Sequence, residues 1–162
     1  PATKPPAQTV KSLPYTIQVG SFRDPQQSMQ VARKLNTNGD PAFTSPVDLA
    51  DKGKWHRVYI GNYGTLAEAK IAADDLKRRK FRYANVTRKP FTVQVGESIP
   101  KIKARELQTR LQTKGYFSYA LPAKTDPNRI RILIGAFENQ TAAKGLFEQL
   151  TVDGFSPRIT LR

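Results

Sequence analysis

The strongest constraint on this chain is an internal repeat. Tyr15-Thr-Ile-Gln-Val-Gly20 returns as Phe91-Thr-Val-Gln-Val-Gly96, and the same offset carries Leu35 to Leu111, Gly39 to Gly115 and Pro46 to Pro122. Arg57-Val-Tyr-Ile-Gly61 returns as Arg131-Ile-Leu-Ile-Gly135 at an offset two residues shorter, which continues through Ala69/Ala143, Leu76/Leu150 and Phe81/Phe155. The difference falls in Asp48–Lys54, a Gly- and charge-bearing stretch where a loop absorbs length changes. A chain of 162 residues built this way folds as two similar small units, 15–89 and 90–162, joined near Arg88–Pro90 with almost no linker. Residues 1–14 (PATKPPAQTVKSLP) are rich in Pro, Lys and small polar residues and read as an extended linker, the end of a tether. The chain begins at Pro1 rather than Met, so the expectation is a fragment or processed form, tethered by a segment that lies outside it.

The first unit reads as strand, helix, strand, strand, helix, strand. Tyr15–Phe22 alternates, with Tyr15, Ile17 and Val19 on one face and Thr16 and Gln18 on the other. Asp24-Pro25-Gln-Gln27 starts a helix, Ala32 and Leu35 form its apolar stripe, and Gly39 stops it. A short strand near Pro41–Val47 follows. Trp55–Asn62 is a strand with Val58 and Ile60 on one face and Trp55, Arg57 and Tyr59 on the other. Thr65-Leu-Ala-Glu68 is a capping box that opens a helix with Leu66, Ala69, Ala72 and Leu76 inward. Arg82–Arg88 is the last strand, with Ala84 and Val86 facing one way and Tyr83, Asn85 and Thr87 the other. The fold class is α+β: two β-α-β-β-α-β split-βαβ units of ferredoxin or RNP type. Each is a four-stranded antiparallel sheet with two helices on one face.

If the helices cover the apolar parity, the other parity faces a ligand. In the first unit it carries Gln18, Trp55, Arg57, Tyr59, Tyr83 and Asn85, with Ser21 at the end of the first strand. Aromatic faces stack on flat or C–H-rich rings, and amide and guanidinium groups donate to hydroxyl or carbonyl oxygens. Sugar rings and nucleobases both suit such a surface.

Composition narrows the chemistry. There is no Cys, and His56 is the one His, so disulfides, thiol catalysis, thiolate zinc and multi-histidine metal sites are excluded. No cofactor or metal is expected. No apolar run approaches the roughly 20 residues of a membrane helix. Lys and Arg outnumber Asp and Glu by 27 to 13, a net charge of +14 spread over the linker and both units. Such charge attracts any polyanion at low salt without specificity. The run Lys77-Arg-Arg-Lys80 sits at a helix end, where cations meet the dipole favourably. The acids Asp24, Asp40, Glu68, Asp74 and Asp75 fall at caps, turns and helix surfaces rather than flanking one cleft. His56 has no nucleophile on a recognisable elbow, and Gly-rich phosphate loops are missing. Gly20 and Gly61, with Gly96 and Gly135, mark strand ends. The chain is not expected to be an enzyme.

YTIQVGSF at 15–22, WHRVYIGNY at 55–63 and LAEAKIAADDL at 66–76 together resemble the SPOR (sporulation-related repeat) domain. The resemblance spans the first unit and extends to the second through FTVQVG at 91–96 and RIRILIGAF at 129–137. It implies the element order read above. It also implies non-catalytic binding of peptidoglycan glycan strands, preferably those stripped of stem peptides. The implied setting is the periplasm or cell envelope, where such a module localises a larger tethered protein to the wall or division septum, with possible envelope or division proteins as further partners. The family's glycan-binding positions match Gln18, Ser21, Trp55 and, within a residue or two, Tyr83. Arg57 and Tyr59 share their face.

The second unit departs from this pattern. Gln94 is kept, but Glu97 stands for Ser21, Arg129 for Trp55, Leu133 for Tyr59, and Ser156 or Pro157 for Tyr83. Its outward face would carry Gln94, Arg129, Arg131, Leu133 and Arg158 with no stacking aromatic. It reads as a degenerate copy that supports the first unit or binds something anionic. The alternative functions are a protein–protein adaptor and a polyanion- or RNA-binding module on the open sheet. The RNA reading ranks lower because Trp55-His-Arg-Val-Tyr-Ile60 lacks the RRM third-strand signature.

Overall fold

In the computed structural model, which describes residues 12–162, alternation and capping signals become two units of one design. The first comprises β1 (Tyr15–Phe22), α1 (Pro25–Thr37), β2 (Ala42–Asp48), a 3-10 turn (Ala50–Lys52), β3 (Lys54–Tyr63), α2 (Leu66–Arg79) and β4 (Asn85–Arg88). The second comprises β5 (Phe91–Val95), β6 (Ile99–Pro100), α3 (Lys101–Thr113), β7 (Tyr119–Pro122), β8 (Arg129–Phe137), α4 (Gln140–Val152) and β9 (Pro157–Leu161). The sheets are antiparallel, ordered β2-β3-β1-β4 and β6-β8-β5-β9, with β7 also paired to β8. The extra strand β6 pairs with the start of β8. It resumes the first strand of this unit after a break, whereas β1 runs through.

Helices close one face of each sheet. Ile17, Ala32, Leu35, Val58, Ile60, Ala73 and Leu76 form the first core, and Val93, Leu111, Ile132, Ile134, Leu146 and Leu150 anchor the second. The Asp24 carboxylate accepts from the Gln26 N–H at 2.9 Å, with Pro25 in the first turn of α1. The Thr65 hydroxyl accepts from the Glu68 N–H at 3.2 Å. Two local expectations are corrected. Leu66, in the first turn of α2, is exposed, and the buried stripe is Ala69, Ala73 and Leu76. The last strand starts at Asn85 rather than Arg82, because the chain reverses at Lys80 (φ 153°) and turns again through Phe81–Ala84.

Gly61 and Gly135 are not at strand ends, as expected, but inside β3 and β8. Tyr15 opposes Tyr63 while Ile17 opposes Ile60, so β3 carries one extra residue there. β8 has the same irregularity between Phe137 and Ile134. Each bulge turns on a glycine in the left-handed region, at φ 80° for Gly61 and 72° for Gly135. The Thr16 hydroxyl donates to the Gly61 carbonyl at 2.7 Å, and that of Thr92 to Gly135 at 2.8 Å. A Cβ on Gly61 would lie 2.5 Å from the Tyr63 ring.

The faces turned away from the helices do not stay open; they pack on each other. Phe43, Tyr59 and Gln18 lie in register across the first sheet, and Tyr119, Leu133 and Gln94 across the second. Phe43 and Tyr59 join Tyr119, Leu121, Leu133 and Ala136 in one buried cluster. Phe43 stacks on Tyr119 with ring centroids 4.1 Å apart and planes 22° apart. At the edge, the Ser45 hydroxyl accepts from the Ala136 N–H at 2.9 Å and lies 3.1 Å from the Ala136 carbonyl. Arg162 is fully buried in this seam, where it donates to the Lys89 carbonyl and the Asn62 side-chain oxygen.

Most of the segment read as a linker over 1–14 lies outside the described residues. Its end, Ser12–Pro14, is bound rather than free. The Leu13 N–H and Ser12 hydroxyl both donate to the Arg162 carbonyl at 3.0 Å, and the Pro14 carbonyl accepts from the Lys89 N–H at 2.7 Å.

Two substitutions test these devices. Gly61→Ala is expected to destabilise by at least roughly 1–2 kcal/mol from the left-handed backbone alone, before the Tyr63 clash, in urea unfolding. Phe43→Ala is expected to cost about 3–5 kcal/mol in the same assay, because the seam cannot close over the lost ring.

Candidate functional site

What remains uncovered of the first unit's outer face is the part beyond Tyr59. A second bulge shapes it. Gln18 opposes Tyr59 but Gly20 opposes Val58, so β1 gains a residue and its alternation flips. Strict alternation would put Ser21 on the helix side with Ile17. The bulge instead sets Ser21 opposite Arg57, on the same face as Gln18.

Gln18, Val19, Gly20, Ser21, Tyr83 and Asn85 line an open depression of ≈ 300 Å³. Gln18 is half-buried and pairs in register with Asn85. Tyr83 is 90 % exposed. It projects from the turn before β4 rather than from a strand, as was expected, but still stands beside Gln18 and Ser21. Arg57 is half-buried between Ser21 and Ser45 in the register.

Trp55 sits at the far end of the face, partly exposed. Its indole N–H donates to the Lys52 carbonyl in the 3-10 turn at 3.1 Å, which fixes the ring's orientation. The Arg23 guanidinium lies 5.0 Å from the ring centroid, a cation–π contact. Arg23 was missed in the sequence, since it follows the strand and carries no periodic signal.

Three expected site residues are placed differently. Tyr59 is 1 % exposed, inside the seam beside Phe43, and burial raises its phenol above the ordinary range. It offers no ring to a ligand. Gln94 is 2 % exposed and donates to the carbonyl of Gly96 at 2.9 Å. Arg131 is 6 % exposed and donates to the Leu161 carbonyl at 2.8 Å and, more weakly, to that of Pro122 at 3.4 Å. The physical reason is common to all three: the apolar outer residues of both sheets bury one another, and these positions lie beneath that contact. Arg129 is half-buried and donates to the Ser98 hydroxyl at 3.2 Å. The residues brought together at the surface are thus Gln18, Ser21, Tyr83 and Asn85, with Arg57 and Trp55 along the strand from them. Such a surface can stack rings and donate hydrogen bonds. It has no paired acid and base.

His56 faces the other way, opposite Phe22 and Pro46. It lines a cleft of ≈ 330 Å³ between the units with Met29, Lys54, Tyr116 and Gln149. Burial first, and the Lys54 ammonium second, hold its imidazole below the ordinary 6.5, against a smaller opposite pull from Asp24. The fold therefore prefers neutral imidazole. The stability this contributes is complete above pH 6.5 and is lost as the pH falls below it. Thermal melts are expected to fall more steeply below that pH for the wild type than for His56→Gln.

Comparison with protein families matches the SPOR domain to residues 12–86 and again to residues 87–160. Neither the curated proteins nor the solved structures return a match. SPOR domains are non-catalytic, peptidoglycan-binding modules, typically of the periplasm or cell envelope, so the general role here is cell-wall binding. Among the described residues no helix is long and apolar enough to cross a membrane. With both halves matched, and with each half folded as a helix-backed antiparallel sheet, the chain belongs to the SPOR family as a tandem of two SPOR domains.

Proposed function

We propose that the first domain captures a peptidoglycan glycan strand across the uncovered part of its outer sheet face, without cleaving it. Trp55 and Tyr83 stack on sugar faces. Gln18, Ser21 and Arg57 hydrogen-bond hydroxyl, lactyl or N-acetyl oxygens, and Asn85 completes the depression. Tyr59 shapes this face from below rather than touching the ligand. The reading rests on one observation: while the seam buries much of both outer faces, it leaves this aromatic and amide surface uncovered. Strands stripped of stem peptides are preferred, because a strand lying close against a sheet has no room for side branches. Capture at the wall localises whatever the chain is tethered to within the envelope, including at septa where stripped strands collect.

The test is a pull-down with purified sacculi, with and without amidase treatment, at physiological salt and with RNA as competitor. Trp55→Ala is expected to weaken binding to stripped sacculi by roughly 1–3 kcal/mol, by analogy with base stacking. That is about ten- to hundredfold in affinity. Binding indifferent to stripping and to Trp55, or removed by RNA, would sink the reading and leave general charge attraction.

A further inference from the structure

The second domain's outer face holds cations that no ion pair neutralises among the described residues. Arg131, on β8, and Arg158, on β9, both lie on the side facing away from the helices; Leu133, two residues past Arg131, shares a register line with Gln94 and Arg158. The Arg131 guanidinium rests on the carbonyls of Pro122 and Leu161, and Lys124 follows two residues after Pro122. Burial first, and then the charges of Arg131 and Arg158, lower the Lys124 ammonium below its ordinary range. Among the described residues the ion pairs join only Arg78 and Arg79 to Asp40 and Asp75, on the other domain. Among the described residues no carboxylate forms an ion pair with Arg131, Arg158 or Lys124.

Burying a guanidinium with no counter-charge, and crowding two more cations beside it, is unfavourable in a molecule that has 13 acids to place. Arg162 adds a fully buried guanidinium whose Nε has no hydrogen-bond partner. It lies within Coulombic range of Tyr59 on the first domain and of Arg131 on the second. The cationic cluster therefore adjoins the same seam that borders the first domain's uncovered face. A bound oxyanion would supply the missing charge, and planar guanidinium groups match carboxylates in geometry.

We propose that Arg158, Lys124 and the edge of Arg131 form a carboxylate-binding subsite for the same glycan strand that the first domain stacks. The inference rests on that reading of the first domain. Its chemistry is specific. Cutting the amide that joins a stem peptide to the muramic acid lactyl group frees one carboxylate on every second sugar. A strand crossing from the first domain to the second presents these carboxylates to the cations. The second domain then contributes by charge where it lacks an aromatic, and stripped strands gain an attraction as well as losing a clash.

The experiment is calorimetric titration of the full chain with two oligosaccharides of matched length: a neutral N-acetylglucosamine oligomer and a peptide-free glycan oligomer carrying the lactyl carboxylates. The wild type is expected to bind the carboxylated oligomer about tenfold more tightly. The double variant Arg158→Ala/Lys124→Ala is expected to bind both equally, with an unchanged melting temperature. Arg158→Glu alone is expected to weaken only the carboxylated oligomer. A preference that survives the double variant overturns the subsite. So does heparin binding as tight as the glycan and equally reduced by the double variant, which would mark a general polyanion surface. Trp55→Ala separates the two readings. If it weakens both oligomers while the double variant changes neither, stacking stands and the subsite falls. If it changes neither while the double variant removes the preference, the subsite stands and stacking falls.

Discussion

The stack of Phe43 on Tyr119 is the contact on which the rest of the molecule depends. A split-βαβ sheet covered by helices on one face leaves the other face without a partner, and a domain of about 75 residues has little core to spare. Here each domain presents large apolar side chains on that second face, and each hides the other's. Burying one such side chain is worth about 1.5–3 kcal/mol. Phe43, Tyr59, Tyr119 and Leu133 together make the seam a core in its own right. Phe43 and Tyr119 are also the same position in the two repeats, as are Tyr59 and Leu133. Counterpart residues meet, as in the self-complementary contact of a two-fold dimer. The tandem is a covalently joined pseudo-dimer closed on its outer faces.

With that closure, the two domains present different open surfaces. Once the outer faces are committed to each other, the surface still open to solvent is whatever the seam leaves over. On the first domain the remainder includes Trp55, oriented by Lys52 and Arg23, and the depression around Gln18 and Tyr83. On the second, the break between β5 and β6 removes the continuous strand that holds Ser21 opposite Arg57 in the first. Gln94 there turns its amide onto the Gly96 carbonyl just past β5. The second domain keeps what folding needs, such as the Thr92 to Gly135 bond at its bulge. It carries no aromatic at the positions of Trp55 and Tyr83.

Much of this was legible in the chain, and the parts that were not have definite causes. Element order, the Asp24 and Thr65 caps and the helix-side cores follow from local periodicity and capping chemistry, which act within a few residues. Alternation correctly assigned Tyr59 and Arg131 to the face away from the helices. It could not show that a second sheet lands there, because parity distinguishes faces and not what covers them. Phe43-Thr-Ser45 is a run of three buried residues of mixed polarity, a pattern that makes sense only when both faces of β2 are occupied. The bulges escaped for another reason. An extra residue in a strand leaves composition unchanged, so the pairing of Gln18 with Ser21 on one face needed the register itself. Tyr83 failed as a strand residue because the reversal at Lys80, a non-glycine at positive φ, carries no sequence signal.

Arg162 shows how tightly the seam is specified. Taking a guanidinium fully out of water costs several kcal/mol. The fold offsets this with acceptors on the first domain, the Asn62 side-chain oxygen and the Lys89 carbonyl at the junction, and with the Phe43 ring 5.4 Å away. The same residue's N–H donates to the Pro90 carbonyl at the junction, and its own carbonyl receives Ser12 and Leu13. One side chain and one peptide unit thus tie together the start of the described chain, the join between domains and the aromatic stack. Rotation of one domain against the other would break the guanidinium's bonds to Asn62 and Lys89 and strand a charge in an apolar seam. The relative placement of the Trp55 end and the Arg158 end is therefore set by the fold. A rigid ligand strand can engage both ends only if its own spacing matches that placement.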